Sequence, residues 1–399
     1  MKKGKNLRFI KRTLSNIIQK TKTDKVKIAI TGIGECGKAS CILSVYDKMP
    51  HILMGNMKNI ILAGNSSEEF FKKYGTSLII DNIEEVLDLL KDIKEEYNII
   101  LISDNNIDEE YKKYISSFIT YKLHGLSIYE LANMGHMQKP YLPQDRQPCI
   151  ISRKSISYTY QLIWRGFLPK AALIEDNKLL DEIISSKVEN ILKNSIMGRI
   201  NISNKLIFLN FLKELSLYIG CELNISELAE KLNMAPNTIK SWIKLLESIN
   251  FIYLIPAYYT ENKRRYIRTP KLYMEDTGIA AWLLNFDEPK KLEEYEKRDK
   301  FFENFVVSEI IKSYHHNGQE CRLYHYRDNL KVKIDLLIED DEYIYPVNIS
   351  GSKDASYEMV SSFEKAALHK TLGYGNLISL TEKSIKLSDK ISAFSIWEI

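Results

Sequence analysis

Short, continuous apolar runs set the pattern of the first third of the chain. Lys27-Ile28-Ala29-Ile30-Thr31, Asn59-Ile60-Ile61-Leu62, Ser77-Leu78-Ile79-Ile80 and Asn98-Ile99-Ile100-Leu101-Ile102 are rich in β-branched side chains and have no polar face. Such runs suit parallel strands buried on both sides. Between them, residues 67–74 and 83–97 carry apolar residues at helical spacing, and residues 39–49 continue as a helix after the first run. Strand and helix alternating in this way predict an α/β unit with a parallel sheet, ending near residue 129. Residues 130–204 read as a mostly helical extension, with Pro140, Pro143 and Pro148 in its opening loop.

The pattern changes in residues 205–298. Residues 225–232 form a helix capped at Ser226, Asn233-Met234-Ala235 a turn, and residues 237–249 a second helix after Pro236, with Ile239, Ile243, Leu245 and Leu246 on its apolar side. Phe251-Ile252-Tyr253-Leu254 and Tyr266-Ile267 supply two strands. This order predicts a winged helix-turn-helix, whose second helix can enter the major groove of DNA. The outward residues of that helix are Asn237, Lys240, Ser241 and Lys244, and the wing adds Lys263, Arg264, Arg265, Arg268 and Lys271 among Tyr258, Tyr259 and Tyr266. Contact with phosphates is the natural use of such a patch. Packing against the other domains is the competing use, since the second helix has few donors able to read bases. Residues 299–399 open with a helix over 302–314 and continue with three strands, 322–326, 332–338 and 343–349, as a meander.

The candidate chemistry lies just after the first strand. Residues 32–38 fit G-x-x-x-x-G-K through Gly32, Gly37 and Lys38, with Gly34 inside the loop. A strand, a glycine loop and a helix aim backbone N–H groups at phosphates, and the lysine reaches the β- and γ-phosphates. The next position ordinarily supplies a hydroxyl to Mg²⁺. Here it is Ala39, and Ser40 is one residue late, about 100° further round a helix. Gly32, Gly34, Gly37, Lys38, Ala39 and Ser40 are therefore the candidate ATP-binding residues of a site that turns its nucleotide over poorly.

A chain of 399 residues is long enough for several domains. Its hydrophobic fraction of 45%, charged fraction of 27% and net charge of +4 describe an ordinary globular protein and do not by themselves imply nucleic acid. Basic residues crowd the first 27 positions, where a solvated helix with a Lys-rich face is expected. The five cysteines form no C-x-x-C pair, so neither zinc nor a disulfide framework is indicated. No apolar run approaches a membrane span, and none follows the basic N-terminus as in a secretory signal, so the cytoplasm is the expected compartment.

The order of these features resembles a widespread bacterial and archaeal family of AAA-like ATPases with a P-loop domain, a winged helix and a C-terminal nuclease-like domain of unknown function. The resemblance is carried by Gly166-Phe167-Leu168-Pro169, Asn224-Ile225-Ser226-Glu227-Leu228-Ala229, Pro270-Lys271-Leu272-Tyr273-Met274-Glu275-Asp276-Thr277-Gly278 and Phe302-Glu303-Asn304-Phe305-Val306. It implies a P-loop NTPase sheet (1–129), a helical extension (130–204), a winged helix (205–298) and an α+β domain of the PD-(D/E)xK nuclease-like type (299–399). It also implies an acidic pair at the end of the third strand, where Asp81 would hold Mg²⁺ and where Asn82 stands in place of the glutamate that positions water. Ser103-Asp104-Asn105 would sense the γ-phosphate, and an arginine expected near Ser117 is missing. In the nuclease-like part Glu303 and Asp335 match, but Asn348-Ile349-Ser350 replaces Glu-x-Lys and Lys333 replaces an acid, so cleavage is not expected. The leading expectation is an ATP-binding switch with weak or lost hydrolysis, acting on DNA or a protein partner. The second is a DNA-associated or scaffolding protein with a relic nucleotide site. The third is an active ATPase in which Ser40 and Glu84 or Glu85 take over the missing roles.

Overall fold

Apolar residues alternate between the two faces of the first sheet. Ile28, Ile30, Ile79, Ile100 and Ile102 enter one apolar cluster, while Ala29, Leu78, Ile80, Ile99 and Leu101 enter another on the opposite side. A strand apolar at every position is stable only when both faces are covered. In the computed structural model, which describes residues 10–21, 25–145, 151–174, 176–190, 205–259 and 268–399, the sheet comprises β1 (Lys27–Thr31), β2 (His51–Leu53), β3 (Ser77–Asp81), β4 (Asn98–Ser103) and β5 (Ile119–Lys122). The order is β2-β3-β4-β1-β5, and all pairings are parallel. This α/β arrangement is consistent with a P-loop NTPase fold.

Two of the expected elements in this unit are corrected. Asn59 to Leu62 is not a strand but the middle of the helix Met57–Asn65, whose first turn is capped by the Asn56 side chain accepting from Lys58 N. Only one flank of that helix is covered, and Ile61 is exposed, so the apolar run had no second face to bury. The edge strand is β2 instead, three residues long. Residues 83–97 do not form one helix but two 3₁₀ segments, Ile83–Glu85 and Leu87–Asp92.

The next unit contains the helices Lys205–Ser216, Ile225–Lys231 and Pro236–Ser248. A small sheet of β6 (Cys221–Glu222), β7 (Ile252–Ile255) and β8 (Lys271–Met274) lies beside them in the antiparallel order β6-β8-β7. The helix at 225 is capped by Asn224, which accepts from the backbone of Ser226 and Glu227, rather than by Ser226. Trp242 packs edge-on against Phe208 and Phe211, fixing the helix Pro236–Ser248 on the helix Lys205–Ser216. Asn237, Lys240, Ser241 and Lys244 form its exposed stripe. Lys263, Arg264, Arg265, Tyr266 and Ile267 lie outside the described residues, and the strand that pairs with β7 is β8.

The last unit joins the helix Arg298–His315 to β9 (Arg322–Arg327), β10 (Lys333–Glu339), β11 (Tyr343–Ile349), β12 (Thr371–Leu372), β13 (Gly375–Ser379), β14 (Ile385–Lys386) and β15 (Ile391–Ser395). The expected meander β9-β10-β11 is antiparallel, and β13 and β15 extend it in parallel. One apolar cluster runs from Leu14 through Phe167, Ile243 and Phe305 to Ile399, so the successive units share a core.

Three of the four stretches that carry the family resemblance, around Phe167, Asp276 and Phe305, meet at one junction. Asp276 accepts the backbone N–H groups of Phe167 (2.7 Å), Leu168 (3.0 Å) and Ile279 (3.1 Å). Phe167 stacks on Phe305, and Asn304 pairs both ways with the backbone of Met274. Their chemistry is that of assembly: buried backbone groups need partners, and these side chains supply them.

Candidate nucleotide site

The loop after β1 turns at the end of a strand flanked by β4 and β5, where open α/β sheets leave a crevice at the strand carboxyl ends. Gly32 lies against the Leu123 carbonyl, leaving no room for a Cβ, and Gly37 has φ 98° immediately before the helix Lys38–Leu43. The sequence therefore needs glycine at both ends of the loop.

Lys38 is 4% exposed and bends back over the loop. Its Nζ donates to Gly32 O at 2.7 Å and Ile33 O at 3.1 Å, and pairs with Asp104 Oδ1 at 2.7 Å. Burial would lower its pKa, but the surrounding negative groups, Asp104 among them, hold it above the ordinary value. The ammonium is thus retained as a charge, satisfied by the acceptors of its own chain.

Other parts of the chain close over the loop. Lys187, from the helix Asn177–Asn190, donates to Gly34 O. Lys170, from the helix Pro169–Ala172, pairs with Glu35 at 3.0 Å. Arg12 donates to Cys36 O at 2.6 Å and His124 O at 2.8 Å while its Nε pairs with Glu130 at 3.0 Å. Arg12 is 4% exposed, an exception among the basic residues of this segment, since Lys11, Lys20 and Lys25 are exposed. An arginine can serve carbonyls and a carboxylate together through its planar fork of donors. Burial lowers the pKa of Lys187, and neighbouring Lys38 pushes the same way. Sequence reading missed Arg12, Lys170 and Lys187, because nothing in their local spacing marks them.

The acidic side of the site is rearranged. Asp81 Oδ2 lies 3.0 Å from His51 Nε2, and its other oxygen accepts the Asn82 N–H. Asn82 has φ 59°, a left-handed conformation that asparagine tolerates better than glutamate does. Glu84 Oε1 accepts the Asp104 N–H at 3.1 Å, and its Oε2 is buried. Burial, and then the Asp104 charge, raise the Glu84 carboxyl above its ordinary range. Glu84 thus braces the Asp104 turn. Glu85 is exposed.

The phosphate half of the expected ligand fits these residues: a glycine loop ringed by Lys38, Lys170 and Lys187. The Mg²⁺ half does not. Ala39 packs on the apolar core, Ser40 faces solvent, and Asp81 is engaged by His51. Among the described residues no group of three or more His, Cys, Asp or Glu side chains is arranged to hold a metal ion.

The Asp104 turn also touches the helical unit. Asn250 Nδ2 donates to Asp104 O at 3.2 Å, and Asn106 bonds Glu247 O and Ser248 O at the end of the helix Pro236–Ser248.

In the C-terminal unit, Glu303 and Asp335 come together, but as lysine ligands. Lys271 Nζ lies 2.7 Å from Glu303 Oε1 and 3.4 Å from Asp335 Oδ1. Asn348 accepts the Asp335 N–H and donates to Met359 O, and Ser350 accepts from Ser352 N.

The chain matches two family models, a domain of unknown function, DUF8612, over residues 157–290 and another, DUF4143, over residues 298–399. Two curated relatives are similar to it: uncharacterized proteins Rv2008c of Mycobacterium tuberculosis and Mb2031c of Mycobacterium bovis. Each is 27% identical over 122 residues, 31% of this chain and 27% of the relative. The chain thus spans about a quarter of the length of these relatives.

Similar solved structures include a Walker-type ATPase, PABY2304, of Pyrococcus abyssi (TM-score 0.42, 12% identity, 70% of this chain and 99% of that one). Another is the Orc1 protein of Aeropyrum pernix in complex with DNA (TM-score 0.26, 11% identity, 70% and 92%). A third is the signal-transduction ATPase PH0952 of Pyrococcus horikoshii (TM-score 0.22, 11% identity, 76% and 45%). Likeness this distant carries no argument about this chain, and the reading of the loop rests on its geometry. Among the described residues no helix is long and apolar enough to cross a membrane.

Proposed function

We propose that this chain is an ATP-binding switch with weak or absent hydrolysis, in which the contacts of Lys38 with its own loop and with Asp104 define the closed arrangement. One observation carries the reading: the Lys38 ammonium is latched on Asp104, whose backbone is tied through Asn250 to the helical unit of residues 205–298. A triphosphate competes for Lys38, so binding releases Asp104 and frees the turn that holds Asn250 and Asn106. The nucleotide then biases a two-state contact by its differential affinity for the open and closed loop. Ala39 and Asn82 remove the metal hydroxyl and the water-positioning carboxylate, which accounts for slow turnover. A single-turnover assay with radiolabelled ATP tests this. ATP that stays bound and intact over many minutes is expected. Hydrolysis at an ordinary enzymatic rate that disappears in Lys38→Ala would reject the switch without turnover.

A second reading, a winged-helix protein that touches DNA, is favoured by the exposed stripe of Asn237, Lys240 and Lys244. It predicts salt-dependent DNA binding that is lost when Lys240 and Lys244 are reversed to glutamate.

A further inference from the structure

A cleft of about 1060 Å³ opens between the segment at residues 220–227 and the β9–β10 hairpin, away from the Gly32 loop. Six cationic residues line it: Arg268, Lys271, Lys300, Arg327, Lys331 and Lys333. Its acidic lining is Glu222 and Glu227, and both are committed, Glu222 to Arg327 at 2.9 Å and Glu227 to Lys231 at 3.0 Å.

The floor is an inverted metal site. Lys271 is 2% exposed, and its Nζ lies between Glu303 and Asp335, where it also bonds the Asp335 carbonyl at 3.3 Å. Lys300 takes the other Glu303 oxygen at 2.7 Å, and Lys333 pairs with Asp335 at 2.9 Å. Tyr273 donates to Glu303, and the backbone N–H of Ile349 donates to Asp335. Three ammonium groups thus face two carboxylates whose oxygens are all engaged. A divalent ion would have to displace Lys271, and the floor keeps a positive charge without one. Buried carboxylates of this kind are stable only when paired.

The rim adds charge that is not neutralised among the described residues. Lys331, at the hairpin turn with φ 66°, is exposed and makes no ion pair among the described residues. Arg268 lies over the ring of Tyr259 at 4.7 Å, and Tyr259 is itself exposed. The cleft is too large for a single phosphate. Its string of cations ending at an open aromatic face matches what a single strand presents, a line of phosphates with bases free to stack.

We propose that this cleft binds the phosphodiester backbone of a single-stranded nucleic acid, with Lys271 standing in for a metal ion and no cleavage following. The proposal is independent of nucleotide binding at the Gly32 loop, and its test is run without nucleotide.

The test is fluorescence anisotropy of the full chain with a labelled 12-nucleotide single strand, across a salt series. Binding should be unchanged by EDTA, and the strand should remain intact with added Mg²⁺ or Mn²⁺. Lys331→Glu with Lys333→Glu should weaken binding about tenfold or more and flatten the salt dependence, since each lost phosphate contact lowers the slope by roughly 0.7 for single strands. Lys333→Glu also takes a partner from Asp335, so Lys331→Glu with Arg268→Glu, which leaves the floor intact, is measured beside it and should weaken binding likewise; a circular dichroism melt matching the parent establishes that each variant folds. Unaltered affinity in either variant would overturn the proposal. So would binding abolished by Lys240→Glu with Lys244→Glu but not by the cleft variants. Displacement by tripolyphosphate or poly-glutamate at equal charge concentration, as effective as by unlabelled strand, would also overturn the strand assignment.

Discussion

Replacing Asp104 with asparagine should strengthen ATP binding. Among the described residues the carboxylate is the only full negative charge bonded to the Lys38 ammonium, while the other acceptors are the neutral carbonyls Gly32 O and Ile33 O and, at 3.9 Å, Cys36 Sγ, whose thiol burial pushes up. Asparagine keeps the volume and removes the charge. Lys38 is 4% exposed but Asp104 is 39% exposed, so solvent screens the pair, and its worth is about 1 kcal/mol rather than the several expected of a buried pair. Removing a competitor of that size should tighten ATP binding about fivefold, at a decade per 1.4 kcal/mol. Relief of repulsion between the carboxylate and the triphosphate acts in the same direction. The assay is titration of a fluorescent ATP analogue in EDTA, which keeps Mg²⁺ out of the comparison. Lys38→Ala combined with Asp104→Asn should erase the gain, because the two effects share one contact. Equal or weaker binding in Asp104→Asn would refute the latch.

Three further outcomes follow from the geometry. Asp276→Ala orphans three buried N–H groups and should cost about 3–5 kcal/mol in urea unfolding, at roughly 1–3 kcal/mol for each group and less than full additivity; a loss below about 1 kcal/mol would show the junction is not held this way. Burial pushes His315, His316 and His325 below their ordinary value, His325 to about 4 with Lys271 adding to the effect. The unfolded chain therefore binds more protons below pH 6.5, so stability is complete above that value and declines as the pH falls towards 4; the urea midpoint should be lower at pH 5 than at pH 7.5, and a flat midpoint would contradict the burial argument. Asn250→Ala should change ATP affinity by no more than about fivefold, since a neutral hydrogen bond contributes about 1 kcal/mol to either state. It should nonetheless abolish any ATP-dependent change in amide exchange along the helix Pro236–Ser248, and persistence of that change would place the coupling elsewhere.

Much of the architecture was legible because burial on two faces leaves a plain mark. β1, β3 and β4 are apolar at almost every position, and the pair of helices around Asn233 shows its apolar side at regular spacing. Glycine and lysine identities marked the loop, since only glycine can lie against Leu123 O. The failures share a cause. Asn59 to Leu62 reads like β1 locally, and only its place in the fold, with one face open, makes it a helix. β5 is an edge strand of mixed polarity, Ile119-Thr120-Tyr121-Lys122, and gave no signal. Arg12 and Lys187 reach the loop from 24 and 153 residues away, so local patterning carries no trace of them. The composition of residues 1–27 gave no hint of Arg12, because it stands among lysines, of which Lys11, Lys20 and Lys25 are exposed.

Calorimetric titration of ATP into the full chain, with and without Mg²⁺ and beside Lys38→Ala, tests the central claim most directly. The account predicts binding that requires Lys38 and changes little with Mg²⁺, since the residues that would hold the metal are replaced or engaged. Binding that is absent, or that survives Lys38→Ala, would contradict it.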